Sequence, residues 1–221
     1  LTLFCTSLNQ YQHRLFLHTC TAVLLCLVNI TTVVADEQTL RVEALQAELE
    51  RAHVPGLSVA KLEQGKIVWE HAIGFANQQS KAPVSTTTVF EAASLSKPVL
   101  AMITWQLVEQ GKLSLDQPLF QILQHDRIQN LANAEKITPR LVLSHQTGLP
   151  NWGGETLDFN FSPGTGFGYS GEGYVYLQRA IEAITGKDLQ TLADEMIFTP
   201  LGMQHSRFTW QDSERFDRAS A

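Results

Sequence analysis

Two residue pairs in this chain place a hydroxyl and an amine three positions apart: Ser94 with Lys97, and Ser58 with Lys61. A serine hydroxyl is a weak nucleophile unless a neighbouring base takes its proton. A lysine within reach can do so once burial or a nearby positive charge lowers its affinity for that proton. Such a pair makes covalent acyl transfer the chemistry to test. The spacing alone is weak, since it arises by chance about once in a chain of this length at ordinary residue frequencies. Secondary structure separates the two pairs. Ser58 lies in Gly56-Leu57-Ser58-Val59-Ala60-Lys61-Leu62, whose alternation predicts a strand, and strand residues i and i+3 point to opposite faces. Ser94 precedes a predicted helix, on which i and i+3 share a face. Pro98 suits the first turn, Leu100, Ile103, Leu107 and Val108 form an apolar stripe, and Gly111 suits the end. The competing role for Ser94 is a simple helix N-cap.

The elements around this pair read as an α/β protein. An amphipathic helix is predicted from Asp36 to about His53, ended by Pro55-Gly56. Strands follow at about 57–62 and 66–75, joined by a hairpin in which Gly65 suits a positive φ. Residues 80–88 read as a polar loop. After Leu113 the pattern is mostly helical. Thr138 and Pro139 open a short helix, Gly171 to Thr185 forms another closed by Gly186, and Asp188 caps one running to about Phe198. Ser206 to Trp210 reads as a short third strand. Four regions follow: 1–35, an α/β portion with the nucleophile helix over 36–112, a mostly helical domain over 113–198, and a return toward the α/β domain over 199–221.

Composition narrows the function. The chain has 221 residues and a formal net charge of −6. Residues 1–35 contain no acid and one base, Arg14, and Val33-Val34-Ala35 before Asp36 suits signal peptidase. The expectation is a cleaved signal peptide and a secreted or periplasmic protein, with an uncleaved membrane anchor as the alternative. Cys5, Cys20 and Cys26 all lie in that segment, so a chain starting at Asp36 has no disulfide, thiolate ligand or cysteine nucleophile. It carries 15 basic and 22 acidic residues, which argues against a nucleic-acid surface.

Five segments in order resemble the serine β-lactamase-like hydrolases, on the branch of class C β-lactamases, DD-peptidases and related esterases. They are Val54 to Ala60 with its hairpin, Phe90 to Lys97, Leu141 to Pro150, Ser162-Pro163-Gly164 with Phe167 to Gly171, and Pro200 to Met203. The resemblance spans about 38–210. It implies an α/β β-lactamase/transpeptidase-like fold: an antiparallel sheet flanked by helices, incomplete here, with a mostly helical domain and a site between them. It implies Ser94 as acyl-accepting nucleophile, Lys97 as the lysine that eases its deprotonation, and Tyr169 as the tyrosine that shuttles a proton to the leaving group. Val99, Leu100 and Met102 are expected to bury Lys97. No metal or organic cofactor is implied, and the partner is a small-molecule or peptide substrate: a β-lactam, a D-Ala peptide or an ester. The resemblance leaves the substrate-binding residues and the oligomeric state open.

The chain departs from the family at two places. Many relatives have asparagine, whose amide helps hold the substrate, where this chain has Gly171. The downstream Lys/His-Thr/Ser-Gly strand, which implies one oxyanion donor, has no match after Tyr169. Loss of one such donor costs about 2.7–4 kcal/mol of transition-state stabilisation. The alternative expectation is therefore a truncated, catalytically incompetent fragment or a non-catalytic binding relative. Ser144-His145 is read as part of a wall-supporting loop rather than a catalytic pair, and Glu172 as a solvated residue favourable at a helix start.

Overall fold

A computed structural model describes residues 41–209, which divide into two compact units, one up to Phe90 and one from Glu91 onward. The predicted signal segment, its three cysteines, residues 36–40 of the predicted first helix and Trp210 lie outside the described residues.

The first unit contains a helix through 41–52 (α1) and strands β1 (Gly56–Glu63), β2 (Lys66–Asn77) and β3 (Ala82–Pro83). The strands form one antiparallel sheet in the order β1-β2-β3. Glu63 pairs with Lys66, leaving Gln64 (φ 50) and Gly65 (φ 75) as the two-residue turn. Two successive positive φ values match the right-handed twist of the strands they join. β2 runs two residues past the predicted end, and β3 lies inside the predicted polar loop. Ser58 pairs with Ala72 and Lys61 with Trp69, and the Lys61 amine binds Glu63 at 2.6 Å. The strand holds Ser58 and Lys61 on opposite faces, so this pair does no chemistry.

The second unit is helical. It contains α2 (Ser96–Glu109), α3 (Leu131–Ala134), α4 (Pro139–Leu143), α5 (Gly171–Thr185) and α6 (Leu189–Ala193). A 3₁₀ turn at Ala93–Leu95 leads into α2, and a π turn at Asp194–Phe198 follows α6. The predicted caps hold. Thr138 accepts from the Leu141 N–H, Asp188 from the Thr191 N–H, and Gly186 closes α5 at φ 68. Gly111 turns left-handed (φ 66) just past α2. Leu100, Ile103, Thr104 and Leu107 are the buried stripe of α2, and Tyr176, Leu177, Ala180 and Ile181 that of α5. They join Leu119, Ile137, Val142, Leu149, Leu192 and Ile197 in one core. Each fully buried aliphatic side chain there contributes about 1.5–3 kcal/mol.

The predicted third strand does not form over 206–209. A lone segment needs a ladder partner for its N–H groups. Here the Gln190 side-chain oxygen accepts from the Phe208 and Thr209 N–H groups, at 2.6 and 3.0 Å, and Phe208 stacks on Phe198.

His125 carries the one buried side-chain polar atom without a hydrogen-bond partner among the described residues. Its side chain is 1 % exposed. Nδ1 accepts from the Arg127 N–H at 3.2 Å, which places the ring proton on Nε2, and Nε2 is buried without a hydrogen-bond partner. The ring meets Tyr176 edge-on at 4.9 Å. Burial, then the Arg179 charge, push its pKa below the ordinary 6.5, with Asp126 opposing. The folded unit therefore resists a proton that the unfolded chain accepts. Stability is fully present above pH about 6.5 and falls as pH drops below it. Chemical denaturation at pH 7.5 and 5.5 should show this loss, and His125→Phe should make it smaller, leaving the share that His145, whose pKa is also lowered, contributes.

Candidate active site

The 3₁₀ turn carries Ser94 and runs directly into α2, so the two pieces present Ser94 and Lys97 on one face. The Lys97 amine donates to Ser94 Oγ at 3.1 Å. Neither the turn nor α2 has a side-chain N-cap hydrogen bond, so Ser94 is not a cap. Its hydroxyl is exposed. Ala93, just before it, holds φ 44, a conformation that costs a non-glycine residue about 1–2 kcal/mol. Strain of this kind concentrates at functional sites, where the surrounding structure enforces it.

Tyr169 approaches from the extended segment before α5. The Lys97 amine lies 4.8 Å from the centre of its ring and 5.5 Å from that of Tyr174. Interaction with Lys97, then with the Ser94 hydroxyl, holds the Tyr169 phenol below the usual tyrosine pKa. The three predicted residues are thus together. The surroundings of Lys97 differ from the expectation. Leu100 is buried in the core, Val99 packs against that core, and Met102 is exposed. Aromatic faces cover the lysine instead, and they attract its cation directly. Tyr174, one helical turn into α5, has no motif of its own and was not foreseen.

His145 braces this arrangement. Its ring lies 4.5 Å from the Tyr169 ring and 5.1 Å from that of Tyr174. Its Nδ1 accepts from the Ser170 N–H at 3.1 Å, and its carbonyl accepts from the Gly168 N–H at 2.9 Å. Burial, then the Lys97 charge, lower its pKa and keep the ring neutral. Ser144 Oγ instead donates to the Arg140 carbonyl at 2.9 Å, so Ser144 and His145 form no catalytic pair. Gly148 permits the loop to close. At φ 77 it sits so near the Phe161 carbonyl that a Cβ would fall 2.0 Å from that oxygen.

Glu172 departs from its expected solvated position. It is 4 % exposed, and Arg127 donates to both carboxylate oxygens at 3.0 Å. The Gly153 N–H donates to Glu172 Oε1 at 3.0 Å, while Arg127 also donates to the Gly153 and Gly154 carbonyls. The α5 N-terminus is buried because the loop over 150–154 lies across it. Ser170 Oγ donates to the Pro150 carbonyl, and the Asn151 carbonyl accepts from the Gly171 and Glu172 N–H groups, both at 3.1 Å. Gly171 is tightly enclosed. A Cβ there would lie 2.6 Å from the Asn151 carbonyl oxygen and 3.1 Å from the Trp152 ring, so this loop leaves no room for a side chain at that position. A partner 45 residues away, such as Arg127 for Glu172, leaves no periodic trace in sequence.

A serine hydroxyl, an amine beside it, and a phenol of lowered pKa suit acyl transfer, and similar proteins carry related names. Esterase EstB of Burkholderia gladioli is 29% identical over 202 residues, covering 77% of this chain and 51% of that protein. Penicillin-binding protein 4 of Amycolatopsis lactamdurans is 29% identical over 195 residues, covering 80% and 50%. The octameric penicillin-binding protein homologue from Pyrococcus abyssi superposes with a TM-score of 0.68 at 26% identity, over 84% of this chain and 47% of that one. The chain thus spans about half the length of these relatives, and its fold is β-lactamase/transpeptidase-like with a sheet that does not close. Residues 42–221 match the Beta-lactamase family throughout, and with Ser94, Lys97 and Tyr169 gathered on its helical unit the chain belongs to that family.

Proposed function

We propose that this chain carries the acylating half of a serine hydrolase that acts on esters or amides through an acyl-enzyme on Ser94. The single observation supporting this most strongly is the Lys97 amine, 3.1 Å from Ser94 Oγ and packed over the Tyr169 ring. In the first step Ser94 Oγ bonds to the substrate's acyl carbon, and its proton passes to the Lys97–Tyr169 pair. The carbon–oxygen or carbon–nitrogen bond to the leaving group then breaks, and the pair returns the proton to that group. Water next attacks the acyl carbon, the ester bond to Ser94 breaks, and the acid departs with Ser94 restored. The proton moves within the pair because the phenol's lowered pKa brings it toward the operating pH, where acid–base transfer is most effective. The Ser94 N–H, in the first turn where N–H groups lack helical partners, is suited to serve as an oxyanion donor. The apolar segment before Asp36 supports placing the reaction outside the cytoplasm.

The test is a burst experiment on the purified chain with p-nitrophenyl acetate, run beside fluorescent penicillin and an acyl-D-Ala-D-Ala peptide. The proposal predicts release of about one equivalent of p-nitrophenolate, followed by slow turnover. A folded sample that gives no burst with the ester and no adduct with the penicillin would refute it.

A further inference from the structure

We propose that Tyr174 is a positioning residue of this site: its ring, set against the core and the His145 imidazole, holds the Lys97 amine in place beside Ser94 and Tyr169. The inference rests on the acyl-enzyme reading of Ser94 and gives its proton-handling pair a fixed support.

Three observations carry it. The first is what surrounds the amine. The lysine ion pairs among the described residues are Lys61 with Glu63 and Lys187 with Glu195, and Lys97 has none. Its amine donates to Ser94 Oγ at 3.1 Å, an exposed hydroxyl whose oxygen becomes part of the acyl ester. A flexible four-carbon stem is only lightly restrained by such a bond. The titratable side chains around the amine, among the described residues, are Tyr169 from the segment before α5, Tyr174 from α5 itself and His145 from the loop after α4. The two tyrosine rings, at 4.8 and 5.5 Å, therefore supply the attraction that a carboxylate gives other lysines.

The second observation is that these two rings are not equally fixed. Tyr169 is exposed, whereas Tyr174 is partly buried and packs against the core. The turn of α5 that carries Tyr174 is tied down on both sides. Ser170 Oγ accepts from the Gly173 N–H at 2.9 Å, and Arg127 holds Glu172. The His145 ring, anchored by the Ser170 N–H, lies 5.1 Å from the Tyr174 ring. Tyr174 is thus the rigid side of the clasp around the amine. The third observation is charge. Burial, then the Tyr169 charge, push the Tyr174 phenol above the ordinary 10.0, while Lys97, then Ser94, hold that of Tyr169 below it. Two tyrosines on one cation therefore divide the work. Tyr169 titrates, and Tyr174 stays neutral and offers its ring face. Lys97 is the largest influence on the Tyr169 phenol, so a ring that fixes Lys97 also fixes the pH at which Tyr169 acts. An aromatic on the core side of a helix is ordinarily packing alone, and the pH profile separates the two roles.

The experiment follows acylation by p-nitrophenyl acetate across about pH 6–10, the range in which these groups titrate, as the second-order rate of the p-nitrophenolate burst. Ser94 Oγ bonds to the acetyl carbon and p-nitrophenolate leaves, so the rate reports the step that Lys97 and Tyr169 serve. Tyr174→Leu should slow acylation at neutral pH by roughly 2–30-fold, the span of one ring–cation contact. It should also move the midpoint of the profile up toward the ordinary tyrosine value of 10.0. Tyr174→Phe keeps the ring face and should restore the parental midpoint, with a rate within about twofold of the parent. In a Lys97→Met background, Tyr174→Leu should slow the residual reaction by less than about twofold, because no cation is left to hold. Tyr174→Met, with circular dichroism as a folding control, repeats the test should the leucine variant not fold. A parental midpoint in the folded leucine or methionine variant, an equal loss in the Lys97→Met background, or a phenylalanine variant as slow as the leucine one overturns the role of Tyr174 and leaves Ser94 chemistry standing. No burst in the unaltered protein overturns the acyl-enzyme reading and this inference with it.

Discussion

Replacing Lys97 with methionine should slow acylation of Ser94 by about 10²–10⁴-fold, the span that a positioned proton-transfer group contributes. The side chains are close in length, and the aromatic rings of Tyr169 and Tyr174 that cover the lysine accept a thioether well. The fold should therefore survive, with a melting temperature near that of the parent. Two effects combine in the loss. Ser94 no longer has an amine 3.1 Å from its oxygen. Tyr169 also loses the largest influence holding its pKa down, so the phenol moves back toward its ordinary value of 10.0. The pH profile distinguishes these effects from mere disruption. In the parent, acylation should rise with pH and level off below the ordinary tyrosine range, since the reactive form has lost a proton. In Lys97→Met the remaining activity should keep rising toward pH 10. A profile that keeps its parental midpoint would separate Lys97 from Tyr169.

The second large effect concerns stability. Arg127→Ala leaves the Glu172 carboxylate buried and facing only the Gly153 N–H. Removing one partner of a buried ion pair costs about 3–5 kcal/mol, because the remaining charge is left uncompensated. Arg127 is itself 31 % exposed at its side chain, so water entering its place moderates the loss toward the lower end. Thermal unfolding should fall by roughly 10 °C. Glu172→Gln keeps the shape and can still accept from the Gly153 N–H, and should cost less than Arg127→Ala. A double-mutant cycle between the two measures their coupling. Equal, additive losses would mean that the pair does not act as a unit. The same variants should also loosen the 150–154 loop, and with it the segment on which Ser170 and Gly171 depend.

Much of this arrangement was legible in sequence because its determinants are local. The Ser94–Lys97 spacing becomes a contact once a helix runs through both, and Pro98 with the Leu100, Ile103 and Leu107 stripe announces that helix. Thr138, Asp188 and Gly186 mark their helix ends through side-chain and backbone rules that need only neighbouring residues. The Gln64-Gly65 turn follows from the same kind of rule, and the alternation around Ser58 disposes of its pairing with Lys61. What sequence could not supply is long-range. Glu172 reads as a wet helix-start residue until the 150–154 loop is seen lying over it, and Arg127 reaches it from far along the chain. Tyr174 looks like a core aromatic on α5, yet its ring faces Lys97. Trp152 looks like one residue of a turn-rich loop until Gly171 is found pressed against it. The strand expected near Phe208 failed for a related reason. Its β pattern is real, but a side chain of α6 takes the N–H groups that a neighbouring strand would need.

The central claim is that Ser94 is the nucleophile, and mass spectrometry of the chain after incubation with a fluorophosphonate tests it most directly. The prediction is one adduct, located by peptide mapping on Ser94, and absent from Ser94→Ala protein that retains the parental circular dichroism and melting curve. An adduct on another residue, an adduct that persists in Ser94→Ala, or a folded protein that takes up no label would contradict it.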